Sequence, residues 1–124
     1  MLTWNVTYHC KAGQREAFYQ ALCDLGIRAN SLKEEGNLKY DYFLAAEAPD
    51  DLLLVESWTT PELQQAHCQT EIFGRLQELK AQYCDSVQID KFNCLDGHDL
   101  YEPADGVHFG APGALFLPYA AGER

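Results

Sequence analysis

Residues 2–10 read Leu2-Thr3-Trp4-Asn5-Val6-Thr7-Tyr8-His9-Cys10 and alternate between apolar and polar side chains. Because successive side chains of a strand point to opposite faces of its sheet, this stretch predicts a strand with one apolar face and one polar face. If the polar face, which carries Asn5, points toward the helices, the apolar side chains cover the other face of the sheet. Those apolar side chains are Trp4, Val6 and Tyr8.

The rest of the chain predicts three further strands and the helices between them. Apolar residues from Phe18 to Leu25 recur at helical spacing, and Gly26 ends or kinks that helix before it resumes toward Glu35. Thr59-Thr60-Pro61-Glu62 is a helix-start signal, with a Thr cap followed by Pro. The predicted strands are 2–10, 38–46, 52–58 and 87–94, and the predicted helices are 14–25, its continuation to 35, a short one ending near His67, and one from Thr70 to Tyr83.

The order strand, helix, strand, strand, helix, strand is the split βαβ pattern of ferredoxin-like α+β domains. In such a sheet the first and third strands are neighbours, and helices cover one face only. The other face needs a cover, and an identical sheet from a second subunit is the simplest one. We therefore predict a homodimer in the form of a dimeric α+β barrel.

The composition disfavours several classes of partner. The 124-residue chain carries 19 acidic and 9 basic residues, a net charge of −10, whereas nucleic acids and anionic membranes need Lys and Arg to neutralise phosphate. No apolar run is long enough to span a bilayer, and the N-terminus lacks the basic flank of a signal peptide, so we expect a cytoplasmic protein. The five cysteines form no C-x-x-C pair and the four histidines show no zinc-ligand spacing, so we predict no metal site.

The composition changes after Cys94. Residues 95–124 hold five Gly and three Pro among scattered aromatic residues, and no helical or strand period continues there. We therefore divide the chain into a domain of residues 1–94 and an arm of residues 95–124. The arm is expected to pack on the domain or on its dimer partner.

Three residues form the candidate site. Asn5 and Trp58 are expected to lie near each other on neighbouring strands, and His67 ends the short helix that follows. An amide holds a carbonyl or oxyanion, an indole stacks on a flat substrate, and an imidazole moves a proton near neutral pH. Glu56 shares a strand face with Trp58. The combination favours a polar pocket for a small-molecule substrate, whereas each residue alone has a structural explanation, and water or helix hydrogen bonds are the alternative for the polar strand face.

Two segments resemble the antibiotic biosynthesis monooxygenase family. They are Glu34-Glu35-Gly36-Asn37-Leu38-Lys39-Tyr40-Asp41 and Leu53-Leu54-Val55-Glu56-Ser57-Trp58, the second followed by His67, Thr70 and Phe73. Together with residues 3–8 and Lys91-Phe92, the resemblance covers residues 2–94. It implies the ferredoxin-like fold and an activity like that of small monooxygenases, which oxidise quinols or polycyclic phenols with dioxygen and use neither metal nor flavin.

The resemblance also implies roles for individual residues. His67 would take a proton from the phenol, Asn5 would hold the oxyanion and Trp58 the ring. No cofactor is expected. The residues expected to bind the substrate around them are Tyr40, Tyr42, Glu56, Thr7 and Phe73.

Other functions remain open. A sister group of the family isomerises phosphorylated autoinducer-2, and Lys39 is the cation nearest the motif for such a substrate. A dimer that binds a small hydrophobic ligand without catalysis is a further alternative. Haem-degrading relatives use an Asn, a Trp and a His at places resembling those of the candidate site, but this activity ranks lower. The chain departs from the family pattern at Ile72, where many members carry a second His.

Overall fold

The computed structural model of the protein describes residues 1–95 and 97, so the predicted C-terminal arm lies outside the described residues except at its first positions. The strands are β1 (Leu2–Cys10), β2 (Asn37–Leu44), β3 (Asp51–Trp58) and β4 (Cys84–Asn93). The helices are α1 (Arg15–Leu25), α2 (Ile27–Leu32), α3 (Pro61–His67) and α4 (Glu71–Tyr83).

The four strands form one antiparallel sheet in the order β2-β3-β1-β4. This order confirms the predicted ferredoxin-like α+β fold, including the expected contact between the first and third strands. In the register of β1 against β3, Trp4 lies opposite Glu56 and Val6 lies opposite Leu54. These positions therefore share one face of the sheet.

The core lies between this face of the sheet and the helices. Val6 and Tyr8 are 4% and 1% exposed, and the ring of Tyr8 packs edge-on against Phe18 of α1 at 5.1 Å between centroids. The apolar face of β1 therefore meets the helices, and Asn5 lies on the opposite face, contrary to the arrangement considered from the sequence. The physical reason is that burying a large apolar side chain contributes about 1.5–3 kcal/mol, which the polar face cannot match.

Local signals set the helix ends. Gly26 adopts a left-handed conformation with φ 77° and separates α1 from α2, as its position in the sequence predicts. Thr60 and Thr70 cap α3 and α4, and each side chain accepts a hydrogen bond from a backbone N–H of the first turn. Thr60 therefore sets the start of α3, and Thr70 sets the start of α4 just after α3 ends at His67. Together they position His67 at the sheet.

Candidate active site

His67 is buried and forms a hydrogen-bonded pair with Glu34, whose side chain is partly exposed. His67 ends α3, and Thr70 Oγ1 donates to its carbonyl oxygen at 2.8 Å. The Nδ1 atom of His67 lies 2.7 Å from Oε1 of Glu34, which belongs to the turn before β2. An ionised carboxylate only accepts hydrogen bonds, so Nδ1 carries a proton when Glu34 is ionised. The other ring nitrogen, Nε2, is buried with no hydrogen-bond partner among the described residues.

Three aromatic rings surround the imidazole of His67. The centroid of Trp58 lies 5.1 Å away, that of Phe73 lies 5.3 Å away and that of Tyr40 lies 5.8 Å away. The rings come from β3, α4 and β2, so elements distant in sequence build this environment. Such surroundings keep water from the histidine and favour a flat aromatic ligand.

Glu56 and Trp58 lie two residues apart on β3 and share the face that meets the helices. The indole Nε1 of Trp58 donates a hydrogen bond to Oε1 of Glu56 at 2.8 Å. Burial raises the pKa of Glu56, and the hydrogen bond from Trp58 and the charges of His67 and Lys80 act in the opposite direction. Glu56 thus keeps its proton to a higher pH than an exposed glutamate, and it lies within electrostatic reach of both His67 and Lys80.

Tyr40 and Tyr42 contribute two buried hydroxyl groups. Tyr40 lies opposite Glu56 and Tyr42 lies opposite Leu54 in the register of β2 against β3, so both share the helix-covered face. Neither hydroxyl makes a hydrogen bond of regular geometry with a described residue. Burial raises the pKa of both tyrosines. Both hydroxyls therefore stay protonated over the physiological range, and they interact with each other.

A small cavity of about 40 Å³ lies beside these groups. Its lining includes Tyr40, Glu56 and Phe73, and the ammonium-bearing Lys80 of α4. Ile89 of β4 also lines it and is 44% exposed, so the cavity meets the surface beside this edge strand. A space of this size holds a few water molecules or the polar end of a ligand, and a whole aromatic ring needs side chains at the opening to turn aside.

The structure brings six of the predicted site residues together on the helix side of the sheet. The remaining two, Asn5 and Thr7, pair with Val55 and Leu53 and lie on the opposite face. The expectation that Asn5 approaches Trp58 fails because Trp58 pairs with Leu2, whose side chain points to the other side of β1 from Asn5. The residues brought together are His67, Trp58, Glu56, Tyr40, Tyr42 and Phe73.

Three further residues of the site are absent from the sequence-based prediction. Glu34 belongs to the quoted Glu-Glu-Gly-Asn segment, but its contact with His67 spans the whole β2–β3 hairpin. Trp4 lines the cavity because the apolar face of β1 points inward. Lys80 follows Leu76 by four residues and Phe73 by seven, so a cation on the apolar stripe of the helix was the available signal.

Lys39, the cation considered for a phosphorylated substrate, and Cys68, a thiol close to the site, do not supply the required chemistry. Lys39 lies on the opposite face of the sheet, where its Nζ is 3.7 Å from Asp41 and above the ring of Phe43. It therefore cannot anchor a phosphate in the cavity. Cys68 does line the cavity, but burial raises the pKa of its thiol, which disfavours the reactive thiolate.

Within residues 1–95 and 97, no group of three His, Cys, Asp or Glu side chains is arranged to hold a metal ion. None of the helices within these residues has the length and apolar character to cross a membrane.

The fold and the site together define a small ferredoxin-like domain in which a buried histidine is hydrogen-bonded to a partly exposed carboxylate. The family model described as antibiotic biosynthesis monooxygenase matches residues 1–79. The protein belongs to this family, as the resemblance in its sequence predicts. A comparison with curated proteins found no match.

Solved structures include many domains of the same fold. A Nitrosomonas europaea protein assigned to the antibiotic biosynthesis monooxygenases is 23% identical, with a TM-score of 0.71 over 77% of this chain and 100% of its own. A Pseudomonas aeruginosa protein is 27% identical, with a TM-score of 0.68 over 77% of this chain and 94% of its own. A conserved protein of unknown function from Bacteroides thetaiotaomicron is 28% identical, with a TM-score of 0.65 over 73% of this chain and 94% of its own.

Proposed function

We propose that the protein is a monooxygenase that oxidises a phenolic or quinol-like small molecule with dioxygen and needs no cofactor. The observation that carries this proposal is the His67–Glu34 pair, in which Nδ1 is bound at 2.7 Å and Nε2 is buried without a partner among the described residues. A base held in this way takes a proton from a phenol placed against Nε2. Membership of the antibiotic biosynthesis monooxygenase family supports the proposal.

The reaction begins with transfer of the phenolic proton to Nε2 of His67. Glu34 accepts the hydrogen bond from Nδ1 and stabilises the imidazolium that forms. The phenolate is electron-rich and reacts with dioxygen. With a hydroquinone as substrate, the reaction needs no external reductant, because one hydroquinone and one dioxygen give one hydroxyquinone and one water. One oxygen atom enters the product and the other leaves as water.

The other residues of the site bind and orient the ring. Trp58 and Phe73 present aromatic surfaces next to His67, and the protonated hydroxyls of Tyr40 and Tyr42 are available to donate hydrogen bonds to substrate oxygens. Asn5 has no part in this arrangement, because it lies on the opposite face of the sheet.

The test is oxygen uptake by protein treated with a chelator, measured with a panel of hydroquinones and polycyclic phenols. His67→Ala should lower the rate by about 10²–10⁴-fold, the usual contribution of a positioned general base. Glu34→Gln should give a smaller loss, since it keeps the shape of the pair but not the charge. A matched control is His9→Gln, because His9 makes a similar 2.8 Å contact with Asp51 on the opposite face of the sheet.

The outcomes separate clearly. Loss in His67→Ala with full activity in His9→Gln supports the proposal. Unchanged uptake in folded His67→Ala protein contradicts the role of the base. No uptake by the wild-type protein with any member of the panel contradicts the oxygenase function itself.

One observation favours an isomerase of small carbonyl compounds as the second candidate. Glu56 is a buried carboxyl whose raised pKa keeps it protonated to a higher pH, and it lies within electrostatic reach of the base His67. An acid and a base in one site move a proton from one carbon to another without oxygen. Turnover of sugar-like carbonyl compounds under nitrogen, lost in Glu56→Gln, distinguishes this function from the oxygenase.

We also propose that two copies of the chain pair through the uncovered faces of their sheets in the cytoplasm. Phe43 and Phe92 lie on that face and are 46% and 48% exposed, with Val55 half-buried between the outer strands. Exposed aromatic side chains on a sheet of this size favour an apolar partner surface. All five cysteines are free thiols, which supports a reducing compartment.

A further inference from the structure

Lys80 is a cation held over aromatic rings at the cavity. Its Nζ lies 5.3 Å from the centroid of Phe73 and 5.9 Å from that of Tyr8. Lys80 also lines the 40 Å³ cavity together with Glu56. The rings fix the position of the ammonium group through cation–π attraction and through contact with its hydrocarbon stem.

The ammonium group of Lys80 has no ion-pair partner in the described part of the chain. Some other cations do have one: Arg28 lies 2.9 Å and Lys39 3.7 Å from Asp41. Burial lowers the pKa of Lys80, which is the expected effect on a cation removed from water without a counter-ion. An anion that enters the cavity would supply the missing partner.

The titratable groups around Nζ come from each element that packs on it. Within the part of the chain that the structure describes, only Glu56 among them is a carboxyl. Its Oε1 is bound by Trp58, and burial raises its pKa. The cavity therefore presents a positive side chain whose nearest acid tends to stay neutral. The surrounding groups are Tyr8 on β1, Glu56 on β3, Cys68 after α3 and Cys84 on β4.

We propose that Lys80 binds the oxyanion that forms when His67 removes the proton of the substrate. The site then selects phenols and similar hydroxyl compounds that become anions on the protein. This inference rests on the proposed function and deepens it, since it assigns the oxyanion partner that the reaction needs and that Asn5 cannot provide. In the reaction, the hydroxyl O–H bond breaks, its proton goes to His67 Nε2, and the charge left on the substrate oxygen is held by Nζ of Lys80.

The experiment is a spectroscopic titration of bound 4-nitrophenol, whose anion absorbs visible light and whose neutral form does not. In the wild-type protein the ionisation midpoint of the bound ligand should lie below its value in free solution. Lys80→Met should raise that midpoint by about one pH unit or more, which corresponds to a tenfold or greater loss of preference for the anion. Met keeps an apolar stem of similar length over Phe73 and Tyr8, and Lys80→Arg should retain the wild-type midpoint.

Lys33→Met is the matched control, since it removes the same charge from an exposed position at the end of α2. It should leave the midpoint of the bound ligand at the wild-type value. An unchanged midpoint in folded Lys80→Met protein, or no binding of 4-nitrophenol by the wild-type protein, overturns the assignment. Because the titration involves no turnover, absence of oxygen uptake with a normal Lys80 effect would refute the oxygenase function and leave the oxyanion site standing.

Discussion

Gly36 joins the turn that carries Glu34 to β2, and its replacement by alanine should destabilise the protein in two separable ways. Its φ is +83°, in the left-handed region that residues with a Cβ rarely adopt. Its carbonyl oxygen accepts a hydrogen bond from the N–H of Thr59 at 2.8 Å. A Cβ added here would lie 2.8 Å from Oγ1 of Thr59 and 3.0 Å from Cβ of Leu63, with Leu63 Cδ1 closer still.

Gly13 provides a matched reference for this substitution. Its φ is +74°, but a Cβ at this position meets no atom of a described residue within 4 Å. Gly13→Ala therefore loses stability only because alanine disfavours the left-handed conformation, which costs about 1–2 kcal/mol. The stiffer unfolded chain of the variant offsets about 0.4–1 kcal/mol of this loss. We expect a net loss of about 1 kcal/mol. Gly36→Ala adds an overpacking cost of about 1–3 kcal/mol, for a total of about 2–4 kcal/mol.

Urea denaturation of the two variants measures the difference. Both should keep the wild-type dependence on urea concentration, and the midpoint of Gly36→Ala should fall well below that of Gly13→Ala. Equal losses in the two variants would refute the reasoning, because they would show that Leu63 and Thr59 move aside at no cost. A larger loss of oxygen uptake in Gly36→Ala would further indicate that the turn positions Glu34 against His67.

Three further predictions concern pH dependence, helix capping and assembly. Because burial raises the pKa of Glu56 above its unfolded value, the folded protein holds the extra proton between these two pKa values, and the free energy of unfolding falls as pH rises through that range. Glu56→Gln should flatten this fall in urea denaturations from about pH 4 to 8, and an identical slope in the variant would contradict it. Thr70→Ala removes the cap that binds the N–H of Phe73 and the carbonyl of His67, and it should lower the free energy of unfolding by about 1 kcal/mol; an unchanged melting temperature would argue against the cap. Val55→Asp places a charge on the uncovered face of the sheet and should convert the proposed dimer to a monomer in sedimentation analysis, whereas a wild-type sedimentation coefficient would exclude this interface.

The strands with strong side-chain patterns are those that sequence reasoning predicts best. β1 has the predicted bounds, because every second residue from Leu2 to Cys10 is apolar. β4 begins at Cys84, three residues before the predicted start at Val87. The strand lies at the edge of the sheet, and most of its residues after Cys84 are exposed, so no alternation marks where it begins.

The candidate site was only partly predictable for a different reason. The alternation of side chains divides β1 into two faces but does not indicate which face the helices cover. For this reason the sequence-based expectation that Asn5 lies near Trp58 was wrong. Glu34 and His67 are 33 positions apart and meet only because the β2–β3 hairpin folds back between them. Lys80 is a single cation on an otherwise apolar face of α4, and in the sequence such a residue is normally interpreted as solvent-exposed. Contacts of this kind depend on tertiary packing and leave no local sequence pattern.

The central position of β1 has a consequence during translation. β1 lies between β3 and β4, whose last residues are Trp58 and Asn93, so the segment of the chain synthesised first waits for partners synthesised much later. At a synthesis rate of about 5–20 residues per second, several seconds separate the appearance of β1 from that of β4. Throughout this interval Trp4 and Tyr8 have no sheet on their β4 side. A nascent chain without β4 therefore lacks the Ile89 side of the cavity, and we expect the cavity to be complete only once β4 has joined the sheet.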